Sequence, residues 1–439
     1  MPEKGYAEYD DPTTVTVLTS FPAAFFEPYQ EAFAARHPEY RLRILNKKTT
    51  TALFHILERP NDPVDVFWAS ASDAFEVLKA NGRLAPVTPP RKDIPQVVRN
   101  HPLNDPDGRY VGFALSGYGI LWNEDYLAER RLPLPQGWED LKRPAYRGHL
   151  GISAPSRSGT THLMVETVLQ VQGWEKGWAT WNEIGGNLAT VTARSYGVAD
   201  GVARKRFGIG ITIDFLSRSQ GPEAERLAFV YPRDNVFIPA NVAIVEEAPN
   251  RPGAEAFIAF LLSDEGQAML ARPEIMRLPV LPQLYVQDDP SFPNPYRITE
   301  RDMDDRFMFD AKLSGLRYEL VNILFDELIT FRLDDLKRIW GLIHRGEAIL
   351  RDYPDETARD LLRQARATII EVPVTAADSS DADFNAGLRR MPRGVPTGER
   401  QRQLEEEWRL FIRDRHEKAL DLASRAMERL AELAAERLP

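Results

Sequence analysis

The stretch Ser153 to Glu166, S-A-P-S-R-S-G-T-T-H-L-M-V-E, stands between two hydrophobic periods. Before it, His149-Leu150-Gly151-Ile152 reads as a strand. After it, Leu163, Val165, Val168 and Leu169 recur at helical spacing. The loop between them carries Ser156, Arg157, Ser158, Gly159, Thr160 and Thr161. A strand that feeds a helix through such a loop aims free backbone N–H groups and the positive end of the helix dipole at one spot. The four hydroxyls add donors, and Arg157 offers charge-assisted bonds. This is the chemistry of an anion pocket. Ser and Thr before a helix also serve simply as N-caps, and so short a motif does not separate the two readings by itself.

The same arrangement recurs upstream. Val15 to Leu18 reads as a strand, followed by Thr19-Ser20 and a helix through Phe25, Phe26, Tyr29 and Phe33. Leu42 to Leu45 is a second strand, and Thr49-Thr50-Thr51 opens the next helix. Val64 to Trp68 is a third, ending in Ser70 and Ser72 before a helix through Phe75, Val77 and Leu78. Strands alternating with helices predict an α/β sheet buried on both faces. In open sheets of that kind ligands bind outside the carboxyl ends of the strands. Hydroxyl-bearing loops in series at those ends favour a binding site over caps alone.

Composition bounds the answer. The 439 residues suggest two or three domains, and the 43% hydrophobic and 27% charged content is that of a globular chain. A net charge of −10 argues against a nucleic-acid partner. The absence of cysteine excludes disulfides, thiol catalysis and zinc–thiolate sites. No apolar run is long enough to span a membrane. The polar start M-P-E-K-G-Y-A-E-Y-D fits a cytosolic chain or one whose signal peptide was removed.

Farther along, Tyr110 to Leu115 and Ile120 to Trp122 read as strands separated by a glycine-rich step, Ser116-Gly117-Tyr118-Gly119, which suits a crossover between domains. Ser195-Tyr196 precedes another helix, and Gly208 to Asp214 is a strand ending on a carboxylate. Phe229 to Tyr231 and Asn235 to Ile238 read as strands near a second crossover.

Three segments stand in register with a known family: Ser116–Asp125, S-G-Y-G-I-L-W-N-E-D; Trp138–Thr161, W-E-D-L-K-R-P-A-Y-R-G-H-L-G-I-S-A-P-S-R-S-G-T-T; and Ile238–Gln267, a strand, a proline and a helix closed by S-D-E-G-Q. The chain resembles the ABC-transporter solute-binding proteins that include the ferric-ion binders, over roughly residues 13 to 284. The resemblance implies an α/β, two-lobe periplasmic-binding-protein (type II) fold with hinge crossovers, and a ligand held between the lobes by hinge closure. It places lobe one at residues 13–114 and 240–288 and lobe two at 115–239. It implies capture rather than catalysis, a periplasmic location, and an ABC permease or membrane sensor as partner. No cofactor and no resident metal are expected.

Ferric binders of this family carry adjacent tyrosines where this chain has Asp214-Phe215, which demotes iron to the alternative. The loop from Ser156 to His162 is similar to the branch that binds hexose phosphates and phosphoglycerate. The expected ligand is therefore a small phosphorylated or otherwise anionic metabolite. Its expected contacts are Ser20, Thr50, Thr51, Ser70 and Ser72 from lobe one, and Ser156, Arg157, Ser158, Gly159, Thr160, Thr161, Ser195, Tyr196 and Asp214 from lobe two. Asp214 has a second reading as a cap of its own turn. His162, on the second turn of the helix, reads as a core residue or one that supports the contacts from behind, rather than as a ligand contact itself. Ser158 and His162, four residues apart, allow a hydrolase reading, but no G-x-S-x-G elbow accompanies them.

Beyond residue 288 the sequence turns helical. Periodicity runs from Arg301 to Ile349 and from Thr357 to Ile370; Val372 to Pro396 reads as a loop, and Arg400 to Leu438 as one amphipathic helix. This all-α extension, 289–439, is expected either to pack on lobe one or to offer a docking face to a transporter, a sensor or a second copy of the chain.

Overall fold

The computed structural model describes residues 12–58, 62–70, 72–98, 101–218, 226–232, 237–285, 294–296, 307–388 and 397–436. In chain order the first half runs β1 (Thr14–Thr19), α1 (Ala23–Arg36), β2 (Arg41–Asn46), α2 (Thr49–Glu58), β3 (Val66–Ala69) and α3 (Ser72–Ala80). A short hairpin, β4 (Val97–Val98) and β5 (His101–Pro102), leads to the long β6 (Val111–Asn123) and α4 (Glu124–Arg130). Then come β7 (Leu150–Ser153), α5 (Gly159–Gln172), α6 (Trp174–Asn187), β8 (Leu188–Thr192), α7 (Tyr196–Ala203), β9 (Ile209–Ile213), α8 (Asp214–Arg218) and β10 (Leu227–Val230). β11 (Phe237–Ile244), α9 (Arg251–Leu261), α10 (Asp264–Met269) and β12 (Leu278–Pro279) return to the first lobe. The extension holds α11 (Ala311–Leu316), α12 (Tyr318–Leu328), α13 (Leu333–Asp352), α14 (Glu356–Ile369), α15 (Ala376–Ser379), α16 (Ala382–Asn385) and α17 (Glu399–Glu436).

The main sheet has the order β2-β1-β3-β11-β6-β9-β7-β8. β1 pairs parallel with β2 and β3, while β11 runs antiparallel to both β3 and β6. β7 pairs parallel with β8 and β9. All six positions of β1 are buried, as expected of a strand covered on both faces.

β6 joins the two lobes. Its first half pairs with β11 and β12, and its second half with β9 and β10. The glycine-rich step therefore does not break the strand, as the sequence led us to expect; the change of partners occurs between Gly117 and Tyr118 within one continuous strand. Gly119 is there for close approach, because a Cβ at that position would stand 2.2 Å from the Val230 carbonyl oxygen. β11 is likewise one strand through Pro239, with a register shift at Ala240/Asn241. The expected strand start at Asn235 and the lobe boundary at 288 lie outside the described residues.

The lobe-one sheet separates two cores. On one side Phe21, Phe25, Tyr29, Phe33, Trp68, Phe113 and Phe257 form an aromatic cluster with α1 and α9. On the other side a single core runs from Phe67 and Phe75 through lobe two into the extension, joining Trp138, Trp178 and Trp181 to Phe325 and Trp340. The extension thus does not pack on lobe one alone. α11 lies on α3 of lobe one, whereas α12 and α13 lie on α5 and α6 of lobe two, and α17 covers α13 and α14. The Val372–Pro396 stretch contains two single-turn helices, α15 and α16, among its described residues.

Candidate functional site

Where lobe one and lobe two meet, three constructions come together: the loop before α5, the start of α3, and the β6 crossover.

The loop before α5 is a 3-10 turn, Pro155–Arg157, followed by Ser158 as N-cap. Ser158 Oγ accepts the Thr161 N–H at 3.3 Å, and the Thr161 hydroxyl pairs with that of Ser153. Those hydroxyls do what caps do. The cap leaves the N–H groups of Gly159 and Thr160 at the open end of the helix. Ser156 is 3% exposed, and its Oγ has no hydrogen-bond partner among the described residues. α2 and α12 both lie against this turn, so lobe one and the extension roof it.

Opposite stands the start of α3. Ser72 is buried; its hydroxyl donates to the Pro239 carbonyl at 3.1 Å and accepts from Asn241 Nδ2 at 2.8 Å, tying α3 to β11. Next to it, Asp73 Oδ2 lies 3.2 Å from His162 Nε2 on α5, both side chains fully buried. His162 Nδ1 reaches Asn322 Oδ1 on α12 at 2.9 Å, and Tyr318 packs on the imidazole at 4.3 Å. Lobe one, lobe two and the extension therefore meet at His162, the core role expected of it. Burial pushes the Asp73 carboxyl well above its ordinary range and pushes His162 down to about 3. Both shifts favour a neutral pair in which Asp73 holds the proton.

At the crossover, Asp214 Oδ2 accepts the Gly117 N–H at 3.0 Å and the Tyr231 hydroxyl at 2.9 Å, while Oδ1 accepts the Phe215 N–H at 2.7 Å. This carboxylate holds the end of β9 to the strand that joins the lobes. Beside it lies Arg277, only 2% exposed, just before β12. Its guanidinium carbon sits 3.7 Å over the Phe215 ring and within 5 Å of Phe21 and Phe25. Its Nε and Nη1 have no hydrogen-bond partner among the described residues. Burial lowers the Arg277 pKa to about 9, against the opposing pull of Asp214, Tyr118 and Tyr29. Each contact with a desolvated aromatic face returns about 2 kcal/mol or more, set against the several that burying an ion costs. The guanidinium is thus held by three rings and the nearby Asp214 charge, with two of its nitrogens unbonded among the described residues. Ser116 Oγ and Thr212 Oγ1, also buried near the crossover, have no hydrogen-bond partner among the described residues.

The expected contacts divide by position. Ser156, Gly159, Thr160, Thr161, Ser72 and Asp214 are buried around the meeting of the lobes. Ser20, Thr50, Ser70, Ser158 and Ser195 are half-buried. Thr51, Arg157 and Tyr196 face solvent, Tyr196 with 58% exposure. Thr50 lines a different space, a cavity of about 840 Å³ between α2, α3 and the extension. Asp73, Ser116, Thr212 and Arg277 were not expected at this junction. A single Arg inside the apolar run Ile275-Met276-Arg277-Leu278-Pro279 was the one available signal for the last.

A model of the family described as bacterial extracellular solute-binding protein matches residues 61–303. The phosphoglycerate transport regulatory protein PgtC of Salmonella typhimurium is 34% identical over 352 residues, 79% of this chain and 82% of its own length. The chain belongs to that solute-binding family. The fold agrees with it. The periplasmic binding protein AfuA of Actinobacillus pleuropneumoniae, solved with fructose-6-phosphate, superimposes with a TM-score of 0.61 at 20% identity, covering 71% of this chain and 98% of AfuA. The apo ferric ion-binding protein A of Pasteurella haemolytica gives 0.59 at 16% identity, with 72% and 97% covered. At such identities these two show the two-lobe fold alone. In this solute-binding protein the extension is added to that fold, and no described helix is long and apolar enough to cross a membrane.

Proposed function

We propose that this solute-binding protein captures a small phosphorylated metabolite between its lobes and closes on it by bending at β6 and β11, performing no chemistry. It works in the periplasm and presents the closed form to an ABC permease or a membrane sensor. The observation that carries the ligand class is the likeness to PgtC, named as a phosphoglycerate transport regulatory protein, over 82% of that protein's length. The site is compatible with it: the free N–H end of α5, the buried hydroxyls of Ser156 and Thr160, and Arg277 are donors suited to phosphate oxygens. The extension, which touches both lobes, is suited to signal closure to a partner. The notion of a dimer through its helices finds no support, because Trp408, Ile412, Ala419, Ala423 and Leu430 of α17 are buried within the chain.

The test is thermal unfolding of the full chain against phosphoglycerates, hexose phosphates, inorganic phosphate, plain sugars and ferric citrate. A ligand at 100 times its dissociation constant adds about 2.7 kcal/mol, which is a shift of a few degrees. A shift with phosphorylated compounds, reduced at least tenfold in affinity by Thr160→Val and Ser156→Ala without a change in apo melting, is the expected result. A shift with ferric citrate alone would overturn the reading in favour of iron, and turnover of the bound phosphoester would overturn the absence of chemistry.

A further inference from the structure

We infer that Arg277 is the cation that grips the anionic group of the captured solute, at the crossover end of the cleft; the inference rests on the anion reading above. Leu278 pairs with Leu115 in the β12–β6 register, which sets Arg277 beside the Ser116–Gly117 crossover. The side chain touches both lobes there: Phe21 and Phe25 follow β1 in lobe one, and Phe215 follows β9 in lobe two. The guanidinium carbon stands over all three rings. Its N–H groups point outward in the plane, and those of Nε and Nη1 meet no acceptor among the described residues. An arginine held among rings with part of its edge unfilled is prepared for a planar, two-pronged oxygen acceptor, as phosphate and carboxylate are. Ser116, one step along β6 from Leu115, is buried, and its Oγ, with no hydrogen-bond partner among the described residues, supplies a further donor for such a group.

The local backbone fits this role. Met276 adopts a left-handed conformation, φ +48°, and Arg277 N–H then bonds back to the Leu270 carbonyl at 2.9 Å. A methionine in that region is strained, and strain of this kind persists where the surrounding structure fixes a side chain in a required place. The competing role for Arg277 is that of a purely structural strut between three phenylalanines. The two roles predict opposite behaviour. A strut stabilises the unliganded protein and leaves anion affinity alone. A ligand cation costs the unliganded protein stability and supplies affinity.

The experiment measures apo melting and anion affinity for the wild type, Arg277→Met and Arg277→Lys, with phosphoglycerate, a hexose phosphate, inorganic phosphate and sulfate as probes. Expected is a loss of about a hundredfold in affinity for Arg277→Met, a smaller loss for Arg277→Lys, which keeps the charge without the fork, and apo melting at or above wild type for Arg277→Met. An affinity within about threefold of wild type in both variants, the scale of ordinary context effects, overturns the inference and leaves the metabolite reading standing. Should Arg277→Met fail to fold, an unchanged affinity in Arg277→Lys overturns it equally. Wild-type binding of phosphate or sulfate without any phosphorylated metabolite, lost in Arg277→Met, sinks the metabolite reading and supports the role of Arg277. Wild-type protein that binds no anion of the four overturns both.

Discussion

Arg317 holds Glu166 from the side, with Nη2 at 2.7 Å from Oε1 and Nε at 3.0 and 3.1 Å from the two carboxylate oxygens. Glu166 belongs to α5 in lobe two, and Arg317 stands between α11 and α12 of the extension. Both are buried, and the Trp174 ring lies 4.9 Å beneath the guanidinium. The joint between lobe and extension is thus ionic at its centre and aromatic around it.

Breaking that pair from one side leaves a buried charge alone. Arg317→Met and Glu166→Leu should each cost about 3–5 kcal/mol, and the double replacement should lie much nearer the wild type. Urea denaturation of the four proteins measures this. Additive losses in the double variant would show that the two residues do not act as a pair.

Falling pH should cost stability at the buried histidines before it protonates ordinary carboxylates. Burial lowers His101 and His416 to about 4 and His162 to about 3, against an ordinary 6.5. Groups depressed in the folded state give stability that is fully present above pH 6.5 and is lost as pH falls toward the folded values. Each contributes about 1.4 kcal/mol per pH unit in that window. Asp73, raised by burial, acts with the opposite sign, gaining stability as pH falls toward its ordinary 3.8. Asp65, Glu166 and Glu327 are raised by burial too and act as Asp73 does, while His149 is lowered and acts with the other histidines, so the test takes one histidine at a time. As pH falls from 6.5 to about 4, denaturation should show His101→Gln gaining on the wild type by about 1.4 kcal/mol per pH unit, because it lacks the imidazole that must be charged. An unchanged slope would refute the assignment.

Gly186 of α6 lies against Trp340 of α13, where an added Cβ would stand 2.6 Å from the Trp340 Cβ. Alanine would improve helix propensity by about 1 kcal/mol, but overpacking costs about 1–3. Because the opposing atom is at the root of a buried tryptophan, the clash should win. Gly186→Ala should lower stability by about 1–2 kcal/mol, read by denaturation; a stabilised variant would mean that α13 moves freely on α6.

Asp214 should matter to the crossover more than to the second lobe as a whole. Asp214→Asn replaces one acceptor oxygen by a donor facing the Gly117 N–H and Tyr231 hydroxyl or the Phe215 N–H, at a cost of about 1–3 kcal/mol. Amide exchange should quicken at Gly117 and Phe215 while α5 and α6 keep their protection. Uniform quickening would argue for global destabilisation instead.

The lobes were legible because their signals are local. β1, β2 and β3 fall within two residues of the apolar runs that announced them, and Asn250 and Ser263 cap α9 and α10 as residues of that type do. α17 was legible as one helix and its buried seam in part: Trp408 and Leu430 are buried with Ile412, Ala419, Ala423 and Ala426, whose alanines let α13 and α14 come close, while Leu404, Phe411 and Leu420 stay half-buried. The continuity of β6 was hidden for a similar reason. Gly117 and Gly119 look like a turn in sequence, and only the nearness of β10 explains Gly119.

The alternation of strands and helices, the hydroxyl-bearing loop ends and the family can all be read from residues close together in the chain. The tertiary structure decided which of those loop residues are buried where the lobes meet. It set Ser72 and Thr161 to hydrogen bonds within the protein, left Arg157 and Tyr196 in solvent, and brought Arg277 beside Phe21 and Phe215. Burial and hydrogen-bond satisfaction are properties of packing between segments far apart in the chain, and local pattern carries no record of them.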